Sequence, residues 1–256
     1  MNHNDLKIVV FSRTGSVGKT ILASNFLLPR MKNPRFLSMD DMNSTAAQFN
    51  IETDGLDGSG FQDIISSVFI DDNVLIDVGQ SCARFFLEGL KGYVGSSEEF
   101  DFFIVPFTPV KRHVQEAADS IESLLHAGVN PKKIIPIANQ IPTFFRFDEL
   151  SEFSAYCESR GVQFNADWHV KHHNTLEGFV KHNVSIEATL QDKTDYKEKI
   201  KALQKSKKAA DLNLMQEYIQ KRSLQMVAQS ISAEFDELWV KLPLYVKPEQ
   251  AETVQA

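Results

Sequence analysis

Cysteine is scarce in this 256-residue chain: only Cys82 and Cys157 occur, with no pairing pattern and no metal-ligand spacing around them. A disulfide framework and a cysteine zinc cluster are thereby excluded, and a reducing, cytoplasmic setting is expected. Long apolar runs are missing as well. No stretch reaches the roughly 18 residues that a membrane-spanning helix needs, and the polar start MNHNDLKIVVF does not read as a signal peptide. Excess positive charge is also absent. The 27 Lys and Arg face 34 Asp and Glu, and the formal net charge of −7 excludes a protein that coats nucleic acid by overall attraction. Neither internal repeats nor low-complexity tracts occur. What is present, 43% apolar and 24% charged residues, is the composition of a soluble globular chain long enough for a sizeable core.

Short apolar runs alternate with helical spacings over residues 1 to 140. Strands are predicted at KIVVF (7–11), FLSM (36–39), VLID (74–77), FFIV (102–105) and IIPIA (134–138), each a short apolar run of the kind buried in a sheet. A helix is expected from Gly18 to Leu28, ended by Pro29. Another covers Val110 to Leu125, where Val114, Ala117, Ala118, Ile121, Leu124 and Leu125 recur at three- and four-residue spacing. One further βα-like unit is expected over Asp148 to Phe164. Strands separated by crossover helices give a mostly parallel sheet covered on both faces, a doubly wound α/β fold. After about Asn165 the character changes. Residues 192–222 carry nine Lys or Arg against five Asp or Glu. A helix with apolar positions at Leu224, Val227, Ile231, Phe235, Leu238 and Leu242 follows, ended by Pro243. The expected organisation is an α/β domain over 1–190, a helical extension over 191–242 packed on it or on a partner, and a flexible tail over 243–256.

The stretch FSRTGSVGKTILASNF (11–26) lies between the first strand and the first helix, where a phosphate-binding loop belongs. Such a loop needs backbone N–H groups turned into a small concavity, which glycines permit. A helix start beneath it adds partial positive charge, a lysine neutralises the β and γ oxygens, and a Ser or Thr hydroxyl ligates Mg²⁺. Thr14, Gly15, Ser16, Val17, Gly18, Lys19, Thr20 and Ile21 are the candidate nucleotide-binding residues, with Thr20 also a metal ligand. The general pattern G-x-x-x-x-G-K-[ST] fails at its first position, which is Arg13. The competing reading is a strand–turn–helix with a chance Gly-Lys pair.

TGSVGKT resembles the variant loop K-G-G-x-G-K-[ST] of the ParA/MinD ATPases, in which that first glycine is not required. GSVGKT followed by LLPRM is most similar to the StbB-type proteins, plasmid-encoded ATPases tied to plasmid stability and conjugative transfer. The resemblance covers roughly residues 5 to 140. It implies a P-loop nucleotide-binding fold that takes ATP or ADP with Mg²⁺. FLSMDDMNSTA (36–46) resembles the switch I segment with its D-x-D pattern, which makes Asp40 a metal and catalytic candidate and Asp41 a catalytic one. VLIDVG (74–79) resembles the next motif: Asp77 would hold Mg²⁺ through water, and Gly79 would donate its N–H to the γ-phosphate. FDFFIVPFTPVKRHVQEA (100–117) resembles the strand and proline turn before a long helix. IIPIANQ (134–140) resembles the strand whose terminal Asn reads the adenine edge, here Asn139.

Two positions depart from the family pattern. The lysine that reaches across a dimer to the partner's nucleotide is replaced by Thr14, beside which Arg13 offers a permanent cation, either in that role or as a solvated loop residue. The second aspartate of D-x-D falls at Met42, with Asp41 and Asn43 as neighbours. The resemblance implies a slow, partner-stimulated ATPase switch with Lys19, Arg13, Asp40, Asp41 and Asp77 as its catalytic set, working as a homodimer with a small DNA-binding partner protein. A nucleotide-dependent dimerisation module without hydrolysis, and a small-molecule kinase or ligase on the same fold, are the alternatives.

Other features favour plainer readings. Trp168, His169, His172 and His173 in DWHVKHHN fit a polar surface helix or a nucleotide-edge loop better than a zinc site, because no carboxylate or cysteine completes the set at ligand spacing. Cys82 reads as a buried small side chain rather than a reactive thiol. The basic stretch 193–208 reads as a solvated helix face in preference to a DNA contact. The Glu-containing, proline-interrupted C-terminus does not suit a membrane-targeting helix.

Overall fold

A computed structural model describes residues 5–39, 49–51, 53–56, 60–204 and 208–244. Seven parallel strands form one sheet in the order β3-β2-β4-β1-β5-β6-β7. They are β1 (Lys7–Phe11), β2 (Arg35–Met39), β3 (Asp54–Leu56), β4 (Val74–Val78), β5 (Phe102–Phe107), β6 (Ile134–Ile141) and β7 (His169–Lys171). β1 is central, paired with β4 on one side and β5 on the other. Both of its neighbours bury its edges, and helices bury both of its faces, so all of Ile8 to Phe11 is inaccessible to solvent.

Alternation along the strands sorts the core into two layers. Val9, Phe11, Ile76, Val78, Phe103 and Val105 point to the face covered by α2 (Phe61–Ile70), α3 (Ala83–Gly92), α4 (Lys111–His126) and α5 (Ser151–Ser159). Ile8, Val10, Leu75, Ile104 and Ile135 point to the other face. There the helical stretch after β1 packs with α6 (Leu176–Lys181), α7 (Ile186–Gln191) and the long α9 (Ala209–Lys241). The fold is therefore the doubly wound parallel architecture with a helical C-terminal extension.

The stretch after β1 has three pieces: α1 (Lys19–Ile21), a π-helical segment (Leu22–Leu27) and a 3-10 turn (Leu28–Arg30). Pro29 does not end it, contrary to expectation. The proline occupies the start of the 3-10 turn, where its missing N–H leaves no bond unmade. Every residue of the π segment is buried, and Phe26 meets Phe235 of α9 with centroids 5.2 Å apart. Arg30 fastens the same junction: it donates to Asp236 Oδ1 at 2.6 Å and Ser232 O at 3.1 Å while lying over both phenyl rings.

Further expectations need correction. The 148–164 unit has no leading strand; a 3-10 turn (Phe147–Leu150) and α5 lead instead into β7. DWHVKHHN is not a helix: His169 lies in β7, the edge strand, and Trp168 is buried with its Nε1 donating to Lys241 O. A carboxylate does reach this cluster, from far along the chain, since Glu234 accepts from the backbone N of Lys171 at 2.6 Å and faces His173 Nε2 at 3.0 Å. Among the described residues no group of three metal-ligating side chains forms. The C-terminal helix begins at Ala209 rather than near Leu224, because its first half runs out as a charged, largely exposed segment braced by α8 (Tyr196–Leu203). Of the basic stretch, Lys193, Lys197, Lys199 and Lys201 are exposed, whereas 205–207 lie outside the described residues. No described helix is long and apolar enough to cross a membrane.

Glu234 supplies a pH test of how α9 is held. Burial works to raise its pKa, but the hydrogen bonds from His173 and the Lys171 amide outweigh it and leave the carboxyl below its ordinary value of 4.5. A carboxyl with a depressed folded pKa contributes stability above the unfolded value and loses it as pH falls through the folded one. Thermal melts between pH 6 and pH 3 should show the wild type losing its advantage over Glu234→Gln below about pH 4.5. Parallel curves for the two proteins would contradict this anchoring.

Candidate functional site

β1 ends at Phe11, pressed between the layers, and the chain must turn back into a helix within eight residues. It does so through left-handed residues: Ser16 has φ 61° and Gly18 has φ 81°. Alternating hands turn successive N–H groups toward one side of a loop, which makes an anion-sized concavity. Gly18 has a second reason to be glycine. A Cβ there would lie 2.2 Å from Asn139 Nδ2, which donates to Val17 O at 2.9 Å. Asn139 is buried beneath the loop, and its Oδ1 accepts from the backbone N of Gln140 at 2.9 Å. The expected base reader thus serves, in this structure, as a prop under the loop.

The front of the loop is tied to α4. The backbone N of Arg13 donates to Ser120 Oγ at 3.1 Å, and its Nη1 donates to Ser123 Oγ at 3.3 Å. Thr14 is buried beside Glu116, so the residue standing where the ParA/MinD pattern has its lysine faces inward. Glu116 is held below the usual carboxylate range by Arg112, with Thr14 adding to the effect. Lys19 is mostly buried as well, and its Nζ donates to Thr14 O at 2.6 Å, arching over the loop.

Gly15, Ser16, Gly18, Lys19, Thr20, Ile21 and Gly79 line one cavity of about 580 Å³. Val17 is buried under its floor. Asp77 is buried in β4, opposite Val10 in the register, one residue from the strand's end. Gly79 comes next in that turn, and its N–H donates to Met39 O at 2.6 Å, joining the end of β2 to the β4–α3 turn. Arg13 does not enter this cavity. It lines an adjoining groove of about 510 Å³ with Arg84, Lys91 and His126. Asp40 and Asp41, together with Met42 and Asn43, lie outside the described residues.

Three further residues line the cavity: Gln80, Ser81 and Gln140. The family resemblance that reads VLIDVG as a switch motif runs its switch segment from Asp77 to Ser81, and so includes Gln80 and Ser81 without singling out either as a binding residue. Gln140 had no usable signal. It sits at φ 56° at an irregularity between β6 and β7, and this bulge, not its spacing, turns it toward the loop.

Gly18→Ala should cost roughly 1–2 kcal/mol from the left-handed backbone alone, plus the clash with Asn139. A double variant with Asn139→Ala should recover only the clash. Chemical denaturation midpoints report both, and a Gly18→Ala protein as stable as wild type would refute the close approach.

No protein-family model matches the sequence, and no curated protein matches it. Solved structures do resemble the fold. MinD cell division protein from Aquifex aeolicus has a TM-score of 0.45 at 14% identity, covering 73% of this chain and 90% of that one. A ParA family ATPase from Chlorobium tepidum gives 0.47 at 13%, covering 71% and 90%. The cell division ATPase MinD of Pyrococcus furiosus gives 0.46 at 17%, covering 85% and 99%.

Proposed function

We propose that this chain is a Mg-ATP-dependent molecular switch that hydrolyses ATP slowly and is stimulated by a partner. The observation that carries the reading is the cavity over the loop, where left-handed Ser16 and Gly18, Lys19 and the Thr20 hydroxyl converge at the carboxyl end of the central strand. Open α/β sheets bind ligands at that end, where the strand order reverses. Lys19 would leave Thr14 O for the β and γ oxygens, a cation in a mostly buried setting where its attraction is strong. The donor set suits a hard divalent cation: Thr20, a hydroxyl residue, lines the cavity, and Asp77, a carboxylate residue, lies one place before the end of β4. Mg²⁺ bound there would neutralise charge on the phosphoryl group being transferred.

Gly79 supplies the switching element. Its N–H is now given to Met39 O, and a γ-phosphate would compete for the same proton. Occupancy of the cavity therefore alters the link between the end of β2 and the β4–α3 turn, and with it the surface offered to a partner. Arg13, in the neighbouring groove, would supply the missing cation either to its own nucleotide or across a dimer to a second protomer's. Asp40 and Asp41 complete the proposed catalytic set. Residues 1–190 form the nucleotide unit in this reading and 191–242 its extension. By the likeness of GSVGKT and LLPRM to StbB-type proteins, the biological task is plasmid stability, partition or conjugative transfer, carried out as a homodimer with a small DNA-binding protein. One observation favours a second reading, nucleotide-driven dimerisation without turnover: Thr14 is buried against Glu116 where a catalytic cation would be needed.

Lys19→Ala should weaken ATP binding by about 100-fold or more, roughly 3 kcal/mol. Calorimetry returning an unchanged affinity would remove the site. Asp77→Ala should bind nucleotide with little response to added Mg²⁺, whereas the wild type tightens. Equal metal dependence in both proteins would dismiss Asp77 from that role.

A further inference from the structure

Gln80 is a surface residue with an unusual placement. Its side chain folds back over the phosphate loop, so that a Cβ on Gly15 would lie 2.8 Å from its Oε1. It borders the cavity that holds Lys19, Thr20 and Gly79, and it also borders the groove that holds Arg13. The turn carrying it does not need that side chain. Main-chain bonds from Cys82 N to Gly79 O at 3.2 Å and from Ala83 N to Gln80 O at 3.4 Å already close it. Those main-chain bonds leave the amide out of the turn's closure, and its Oε1 lies over the glycine that opens the loop.

We infer that Gln80 is the group that orients the attacking water, an inference that rests on the ATP-hydrolysis reading above. A primary amide carries an acceptor and two donors on one rigid plane, so Oε1 can take one O–H of a water while Nε2 donates to a phosphate oxygen. That pairing aims the water's lone pair in line with the γ-phosphorus, a role that glutamine fills in other phosphoryl-transfer sites. The family resemblance bears on the same point: it implies that the second aspartate of D-x-D positions the attacking water, and that position is Met42 here, whose thioether is only a weak acceptor. In the step, the water oxygen bonds to the γ-phosphorus as the bond from that phosphorus to the β–γ bridging oxygen breaks, and the bridging electron pair leaves with ADP. One water proton stays on the released phosphate and the other passes to solvent. Gln80 ends unchanged, since an amide is no base at neutral pH.

The test uses the full chain with Mg²⁺ and compares wild type, Gln80→Ala and Gln80→Asn, the last keeping the amide but withdrawing it by one carbon. Affinity for a non-hydrolysable ATP analogue is measured by calorimetry, and single-turnover phosphate release by a phosphate sensor. The expected result in both variants is an affinity loss of no more than about tenfold, the worth of the Nε2 hydrogen bond to phosphate, with release slowed about 100-fold, the scale of a misplaced reactant. Release unchanged in Gln80→Ala overturns the inference, as does an equal loss of affinity and release, which would make Gln80 a structural part of the loop. A wild type that binds the analogue but releases no phosphate also overturns it, and leaves the nucleotide site standing. A wild type that binds no analogue sinks the ATP reading itself.

Discussion

Everything at the candidate site depends on one close approach, that of Gly18 to Asn139. β1 is buried on both faces and both edges, so the chain leaving it has no lateral room and must turn sharply at the sheet's carboxyl end. Asn139, near the end of β6, fills the space under that turn and ties itself to Val17 O. Only a residue without Cβ fits above it, and only a residue tolerant of the left-handed region can start the helix there. The loop is thus shaped by the sheet beneath it as much as by its own glycines.

A second constraint fixes the loop's front. Ser120 and Ser123 of α4 hold Arg13, and Glu116 of the same helix lies beside Thr14. Three side chains one turn apart on a single helix therefore decide that the loop's cation points to the neighbouring groove while its threonine points inward. Lys19 lines the cavity and Arg13 the adjoining groove, with Gln80 bordering both.

The framework was legible because burial on two faces leaves a simple trace. KIVVF, VLID and FFIV are continuous apolar runs with glycine or proline behind them, and all fall within the strands observed. The loop could be read from GSVGKT for the same reason, since its glycines answer local backbone demands. What failed to show was whatever depends on partners distant in sequence. HVK becomes a strand only because β6 and Glu234 of α9 receive it, and its own three residues give no pattern. Pro29 signals a stop in isolation, yet α9 and Arg30 hold the chain helical past it. Resemblance draws attention to Asn139 but does not reveal its place beneath the loop, and Gln140 depends on a bulge that periodicity cannot reveal.

The layer formed by α9 carries a practical consequence. Leu22, Phe26 and Leu27, from the same helical stretch that starts with Lys19, lie in one cluster with Ile231, Phe235 and Leu238. Burying a side chain of this size contributes about 1.5–3 kcal/mol, so a chain cut at residue 190 would present that seam to water directly behind its own loop. The last long helix is a wall of the room rather than an annex, and anything that pulls on its outer side tugs at the floor on which the phosphates would rest.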